Sequence, residues 1–218
     1  MRHHTILLLS AVLLATTPVR AQEFSPFDTI ADEPTRVALR TIIADAAARG
    51  LPTSALVTKV REGIAKRASP DRIRHATALL AERLAVASSA LAPTRSVDEL
   101  TAAAGALQVG IPASTLRDMR QLWPQRPLTV PLGVLSELVA SGVSRSIATR
   151  RVRDLLVKGA TTTQFAALGT TIQSDIAAGL SPDAAMELRS KGVLSLIQQQ
   201  MEAGVSPTRA PLRPPVKR

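Results

Sequence analysis

Apolar residues recur every three or four positions through most of this chain, the spacing that places them on one face of an α-helix. The clearest row runs from Ile73 through Leu80 and Leu84 to Leu91, and it predicts a helix over 70–91. No run alternates apolar and polar residues with period two, so the sequence predicts an all-α fold. The same spacing predicts helices over 35–49, 53–66 and 112–123, around Leu100, Leu135, Val152 and Leu168, and between 185 and 201 with Gly192 as a candidate break.

One local pattern separates the predicted helices. A glycine is followed by an aliphatic residue and then by Pro or Ser, as in Gly50-Leu51-Pro52 and Gly142-Val143-Ser144. Glycine accepts the left-handed conformation that ends a helix, and Ser or Pro favours the start of the next one. Because the intervals between copies are unequal, the pattern predicts an irregular bundle or a short superhelical array of αα-hairpins joined by Gly-aliphatic-Pro/Ser turns. Further copies are at 110–112, 179–181 and 204–206, and looser ones are at 67–70 and 159–161.

Four segments organise the chain around this pattern. Residues 22–34 form an irregular lead-in to a helical domain over 35–203. Within that domain, residues 124–131 contain three prolines, which makes them a candidate break between two subdomains. Residues 204–218 are rich in Pro and Arg, and we expect this basic tail to be disordered.

The first 21 residues have the features of a secretory signal peptide. A basic start is followed by an apolar run over 6–15, and Val19 and Ala21 place small residues before the expected cleavage site between Ala21 and Gln22. The apolar run is shorter than the roughly 18–20 residues needed to span a bilayer. We therefore expect an exported protein, in the periplasm or outside the cell, whose mature chain has no transmembrane segment.

The residue types that most often carry chemistry are scarce. The chain has no cysteine, which excludes disulfides, thiolate metal sites and a cysteine nucleophile. After signal cleavage the only histidine would be His75, and its cationic neighbours Arg72 and Arg74 disfavour a metal ion. No glycine-rich phosphate loop is present. The sequence therefore predicts no catalytic residue, no cofactor and no metal site.

Two carboxylates keep an enzymatic alternative open. Glu62 and Glu99 are of the type that a glycan-cleaving enzyme uses as acid and base. However, Glu99 ends a Ser96-Val97-Asp98-Glu99 capping box, and Glu62 lies four residues before Lys66, an ion-pair spacing within a helix.

A basic stretch of the helical domain is the first candidate binding site. It consists of Arg145, Arg150, Arg151, Arg153 and Lys158. Such a cluster is either a solvated helix face or a surface for an anionic partner, such as membrane headgroups, an envelope polysaccharide or an acidic protein. We do not expect nucleic acid as the partner of an exported protein.

Trp123 and Arg126, in the proline-rich segment, are the second candidate binding site. A tryptophan at a helix end next to prolines either fills the core or anchors a partner protein.

The net charge of +10 is unevenly distributed. It falls to +8 when Arg2 and Arg20 leave with the signal peptide. Half of the remainder lies in the tail, at Arg209, Arg213, Lys217 and Arg218. The helical domain is therefore only mildly basic, and the tail is a candidate contact to anionic membranes.

The segment from Val60 to Ile73 resembles a sequence motif of uncharacterised exported bacterial proteins. In those proteins an EGxAKG-small-Pro line joins two helices, and here Glu62-Gly63-Ile64-Ala65-Lys66-Arg67-Ala68-Ser69-Pro70 is similar to it, with Arg67 in place of the expected glycine. The resemblance implies an exported helical protein and implies no activity.

Together these features predict an exported, non-catalytic binding or scaffolding module of the bacterial envelope, whose partner is an unknown envelope protein or an anionic surface. The alternatives are an envelope hydrolase that uses carboxylate acid/base chemistry, and a peripheral binder of anionic membrane surface.

Overall fold

The computed structural model describes residues 26–204 of the chain. This part contains a short 3-10 helix at Pro26–Thr29, nine α-helices and no strand, which confirms the all-α prediction. The α-helices are α1 (Glu33–Ala48), α2 (Thr53–Ala65), α3 (Pro70–Ala90), α4 (Val97–Gln108), α5 (Ala113–Leu122), α6 (Thr129–Ala140), α7 (Arg145–Val157), α8 (Thr162–Ala177) and α9 (Pro182–Glu202). None of these helices is long and apolar enough to cross a membrane. The predicted signal peptide and the tail beyond Gly204 lie outside the described residues.

The structure moves two of the predicted helix boundaries. α1 begins at Glu33, inside the expected irregular lead-in, because the Asp32 side chain accepts the N–H of Thr35 at 2.8 Å and caps the helix. α6 begins at Thr129 although Pro131 lies in its first turn, where the missing N–H has no intrahelical acceptor to lose. Gly192 does not break α9, which is continuous through it.

The joint glycines adopt left-handed backbone conformations. From Gly50 to Gly204, six of them have φ between +67° and +99°. At the first joint, the N–H groups of Gly50 and Leu51 bond to the carbonyls of Ala47 and Ala46, both at 2.9 Å. This Schellman arrangement satisfies carbonyl groups that the end of the helix leaves free. Arg67, which replaces the glycine at another joint, has φ of 52° and bears the steric cost that a side chain pays there.

Helices two positions apart in the chain form much of the packing. α1, α3, α5, α7 and α9 contact one another in succession and form one row, while α4, α6 and α8 form a second. The α3–α4, α6–α7 and α8–α9 contacts join the two rows. α4 with α5, and α7 with α8, are not among the main packing pairs. The expectation that consecutive helices form hairpins therefore describes only part of this array.

One hydrophobic core extends across the proline-rich segment. Leu116 and Trp123, before that segment, belong to the same buried cluster as Leu132 and Phe165 after it. Ile30, Leu39, Val60 and Ile73 form a second, smaller cluster. The segment 124–131 thus connects helices that share a core, and it does not separate two cores.

Candidate functional site

Trp123 fills the core. Its side chain is 3 % exposed, its indole N–H donates a hydrogen bond to the carbonyl of Leu156 at 3.1 Å, and its ring meets Phe165 edge to face at 6.0 Å. The guanidinium of the exposed Arg126 lies 3.7 Å from the centre of the Trp123 ring. Of the two expected roles for Trp123, these contacts match core packing, because a buried tryptophan with its N–H satisfied has little surface left for a partner.

Glu99 holds the loop after Trp123 in place. Its carboxylate accepts the N–H of Leu128 at 2.6 Å and forms an ion pair with Arg120. Arg120 in turn donates to the carbonyl of Trp123 at 3.0 Å and to that of Arg126 at 3.2 Å. The loop is therefore attached to α4 and α5 through a largely buried ion pair.

The capping-box prediction for Glu99 is half right. Ser96 Oγ accepts the N–H of Glu99 at 3.3 Å, as a capping box requires. The return bond is absent, because the Glu99 carboxylate points to Leu128 and Arg120 while the N–H of Ser96 bonds to Thr94.

Neither carboxylate proposed for hydrolysis has the raised pKa that a general acid needs. Burial raises the pKa of Glu99, but hydrogen bonds from Thr94 and Leu128 and the charge of Arg120 outweigh it, so the pKa lies below its ordinary value. Hydrogen bonds from Lys59 and Lys66 lower the pKa of Glu62 to about 2. Among residues 26–204, no group of three or more His, Asp or Glu side chains could hold a metal ion, and His75 is exposed.

Arg150 and Arg151 of the basic stretch connect α7 to α9. Glu187 accepts hydrogen bonds from Arg150 at 2.9 Å and from Arg151, which also contacts Asp154 at 3.3 Å. The hydrogen bond to Glu187 is the main reason why the pKa of Arg151 is raised, and the same bond lowers the pKa of Glu187. The sequence alone does not reveal Glu187 as a partner, because nothing in a local window indicates that α9 lies beside α7.

Three arginines of the stretch line a groove of about 680 Å³ between α7 and the start of α5. Arg145, Arg150 and Arg153 lie on its α7 wall, and Arg145 donates a hydrogen bond to the carbonyl of Gly110 on the opposite wall at 3.3 Å. The groove residues are Gly110, Ile111, Pro112, Thr115, Arg145, Ser146, Thr149, Arg150, Arg153 and Asp154. We call this the α5–α7 groove.

The electrostatics of the α5–α7 groove favour an anion. Three arginines and one aspartate, Asp154, line the groove. Asp154 is paired with Arg151 and Arg150 with Glu187, while Arg145 has no carboxylate partner within residues 26–204. Arg153 is exposed and forms no ion pair within the described part of the chain. The structure thus brings Arg150 and Arg153 together with Arg145, whereas Arg151 and Lys158 do not line the groove and Trp123 and Arg126 belong to the loop that Glu99 holds.

Comparison with protein-family models, with curated proteins and with solved structures finds no match to this chain. The resemblance of residues 60–73 to exported bacterial proteins therefore stays a prediction.

Proposed function

We propose that the protein is exported and acts in the bacterial envelope as a non-catalytic binding or scaffolding module whose partner carries negative charge. The observation that supports this most directly is the α5–α7 groove, in which Arg145 and Arg153 have no carboxylate partner within residues 26–204. Guanidinium groups form two parallel hydrogen bonds to carboxylates and phosphates, so a concave cluster of them suits a ligand that carries such groups.

The structure offers less support to the hydrolase alternative. General acid catalysis near neutral pH needs a carboxyl group that is still protonated there. Glu62 and Glu99 have lowered pKa values and are committed to ion pairs, with Lys59 and Lys66 in one case and with Arg120 in the other. A binding role needs only the charges that the groove already carries.

The test is a co-sedimentation assay with a purified bacterial envelope fraction. The variant Arg145→Gln/Arg153→Gln removes two positive charges from the groove, and Arg61→Gln/Arg72→Gln removes two from exposed positions that do not line it. Each charge-assisted hydrogen bond contributes about 1.5 kcal/mol or more, so the groove variant should bind at least about tenfold more weakly.

The control variant should bind as the unaltered protein does. Equal losses in the two variants would show that only net charge matters, and unchanged binding by the groove variant would refute the groove as the binding site. Circular dichroism of both variants establishes that they remain folded.

A further inference from the structure

We infer that the α5–α7 groove binds a linear anionic polysaccharide, a chain that carries both carboxylate and hydroxyl groups. This inference rests on the proposed function and adds the chemical class of the ligand. The groove arginines indicate that the ligand is negatively charged. The uncommitted hydroxyl groups, the shape of the groove and the positions of the exposed apolar side chains favour a polysaccharide over a membrane.

Two of the arginines are spaced along the α7 wall of the groove. Arg145, Arg150 and Arg153 are all on α7, and the first and last are eight residues apart, which corresponds to about 12 Å along the helix axis. The opposite wall consists of the α4–α5 joint and the first turn of α5. A narrow polymer with repeated charges can contact Arg145, Arg153 and the opposite wall together.

Three hydroxyl groups in the groove are uncommitted. Thr115, Ser146 and Thr149 line it, and none of their hydroxyls makes a hydrogen bond within residues 26–204. Elsewhere in the helices, hydroxyls often bond back to the carbonyl four residues earlier, as those of Thr77 and Ser136 do at 2.8 Å. Uncommitted hydroxyls beside guanidinium groups suit a ligand that offers both hydroxyls and anions, because each can donate and accept a hydrogen bond.

The groove lacks the large exposed apolar side chains of a membrane-binding face. A membrane-binding face combines cations with apolar side chains that enter the boundary between headgroups and acyl chains. The exposed large apolar side chains of the described part are Val37, Val86, Val97, Val157, Leu180, Leu188, Leu196 and Met201. None of them lines the groove. Thr115 and Thr149 are also half-buried.

The probes are alginate oligosaccharides, which carry a carboxylate and hydroxyls on each sugar, and vesicles of phosphatidylglycerol mixed with phosphatidylcholine. Affinity is measured by calorimetry for the sugar and by co-sedimentation for the vesicles. Three variants are compared with the full chain: Arg145→Gln/Arg153→Gln, Thr115→Val/Thr149→Val, and Thr58→Val/Thr163→Val, which removes two exposed hydroxyls outside the groove. Melting temperatures establish that each variant folds.

We expect alginate binding to fall at least about tenfold in the arginine variant and about threefold or more in the groove threonine variant, and to be unchanged in the control. Vesicle binding should be the same in all four proteins. Absence of alginate binding with vesicle binding that depends on Arg145 and Arg153 would overturn the polysaccharide inference and leave the proposed function standing. If neither probe nor the envelope fraction depends on the groove, the proposed function fails as well.

Discussion

Replacement of Arg120 by methionine should strongly destabilise the protein. Arg120 is the counter-ion of Glu99, and their side chains are 12 % and 5 % exposed. Methionine keeps most of the aliphatic volume of arginine but removes the charge and the hydrogen bonds to the loop carbonyls. The Glu99 carboxylate would then be buried with the N–H of Leu128 and the hydroxyl of Thr94 as partners and no opposite charge.

The magnitude follows from this geometry. Removal of one partner of a buried ion pair costs about 3–5 kcal/mol, because the other charge stays buried and unpaired. The double variant Glu99→Gln/Arg120→Met removes that unpaired charge and keeps an acceptor for the N–H of Leu128. It should therefore be more stable than Arg120→Met alone by about 1–3 kcal/mol.

The pH dependence has a defined sign. The pKa of Glu99 in the folded protein lies below its ordinary value of 4.5. A lowered folded-state pKa contributes stability that is present above the unfolded pKa and is lost as the pH falls through the folded pKa. The difference in unfolding free energy between the unaltered protein and Arg120→Met should accordingly be largest near neutral pH and shrink as the pH falls below about 4.5.

Urea denaturation followed by circular dichroism measures these free energies. The matched control is Arg117→Met, an exposed arginine on the same helix, which should change stability by less than about 0.5 kcal/mol. An Arg120→Met variant that costs less than about 1 kcal/mol, or a double variant no more stable than Arg120→Met, would refute the reasoning about the buried pair.

Three further predictions concern the backbone and the two ends of the chain. Gly179 and Gly192 both have open space where a Cβ would lie, but Gly179 has φ of +99° and Gly192 is inside a helix. Thermal unfolding should show that Gly179→Ala destabilises the protein by about 1–2 kcal/mol and that Gly192→Ala stabilises it by about 0.5–1 kcal/mol. Equal effects would contradict the left-handed conformation of Gly179. N-terminal sequencing of the exported protein should begin at Gln22, and a mature chain that keeps Met1 would end the secretory interpretation. Deletion of residues 207–218 should leave the melting temperature unchanged and weaken salt-dependent binding to anionic vesicles; a large drop in melting temperature would mean that the tail supports the fold.

The candidate site could be predicted only in part. The basic residues of α7 were identified from their density in the sequence, and Arg150 and Arg153 do line the groove together with Arg145. The opposite wall, at 110–115, could not be found in this way, because it is some 35 residues away in the chain and carries no charge. Trp123 was identified as an informative residue, but whether it fills the core or contacts a partner depends on Phe165 and Leu156, which only the packing brings to it.

By itself the sequence determined the helices, the bounds of α1, α2, α3 and α5 to within two residues, and the left-handed glycines between helices. These depend on interactions within about four residues, such as the apolar period of α3 and the positive φ that glycine accepts at Gly50. Only the tertiary structure decided what each polar group binds. Glu99, which begins as a plausible helix cap, accepts the N–H of Leu128, and Ser144, in a cap position, donates its N–H and its hydroxyl to Asp183 of α9. A local pattern cannot contain those partners, because a buried carboxylate or hydroxyl takes whichever hydrogen bonds the packed helices bring within reach.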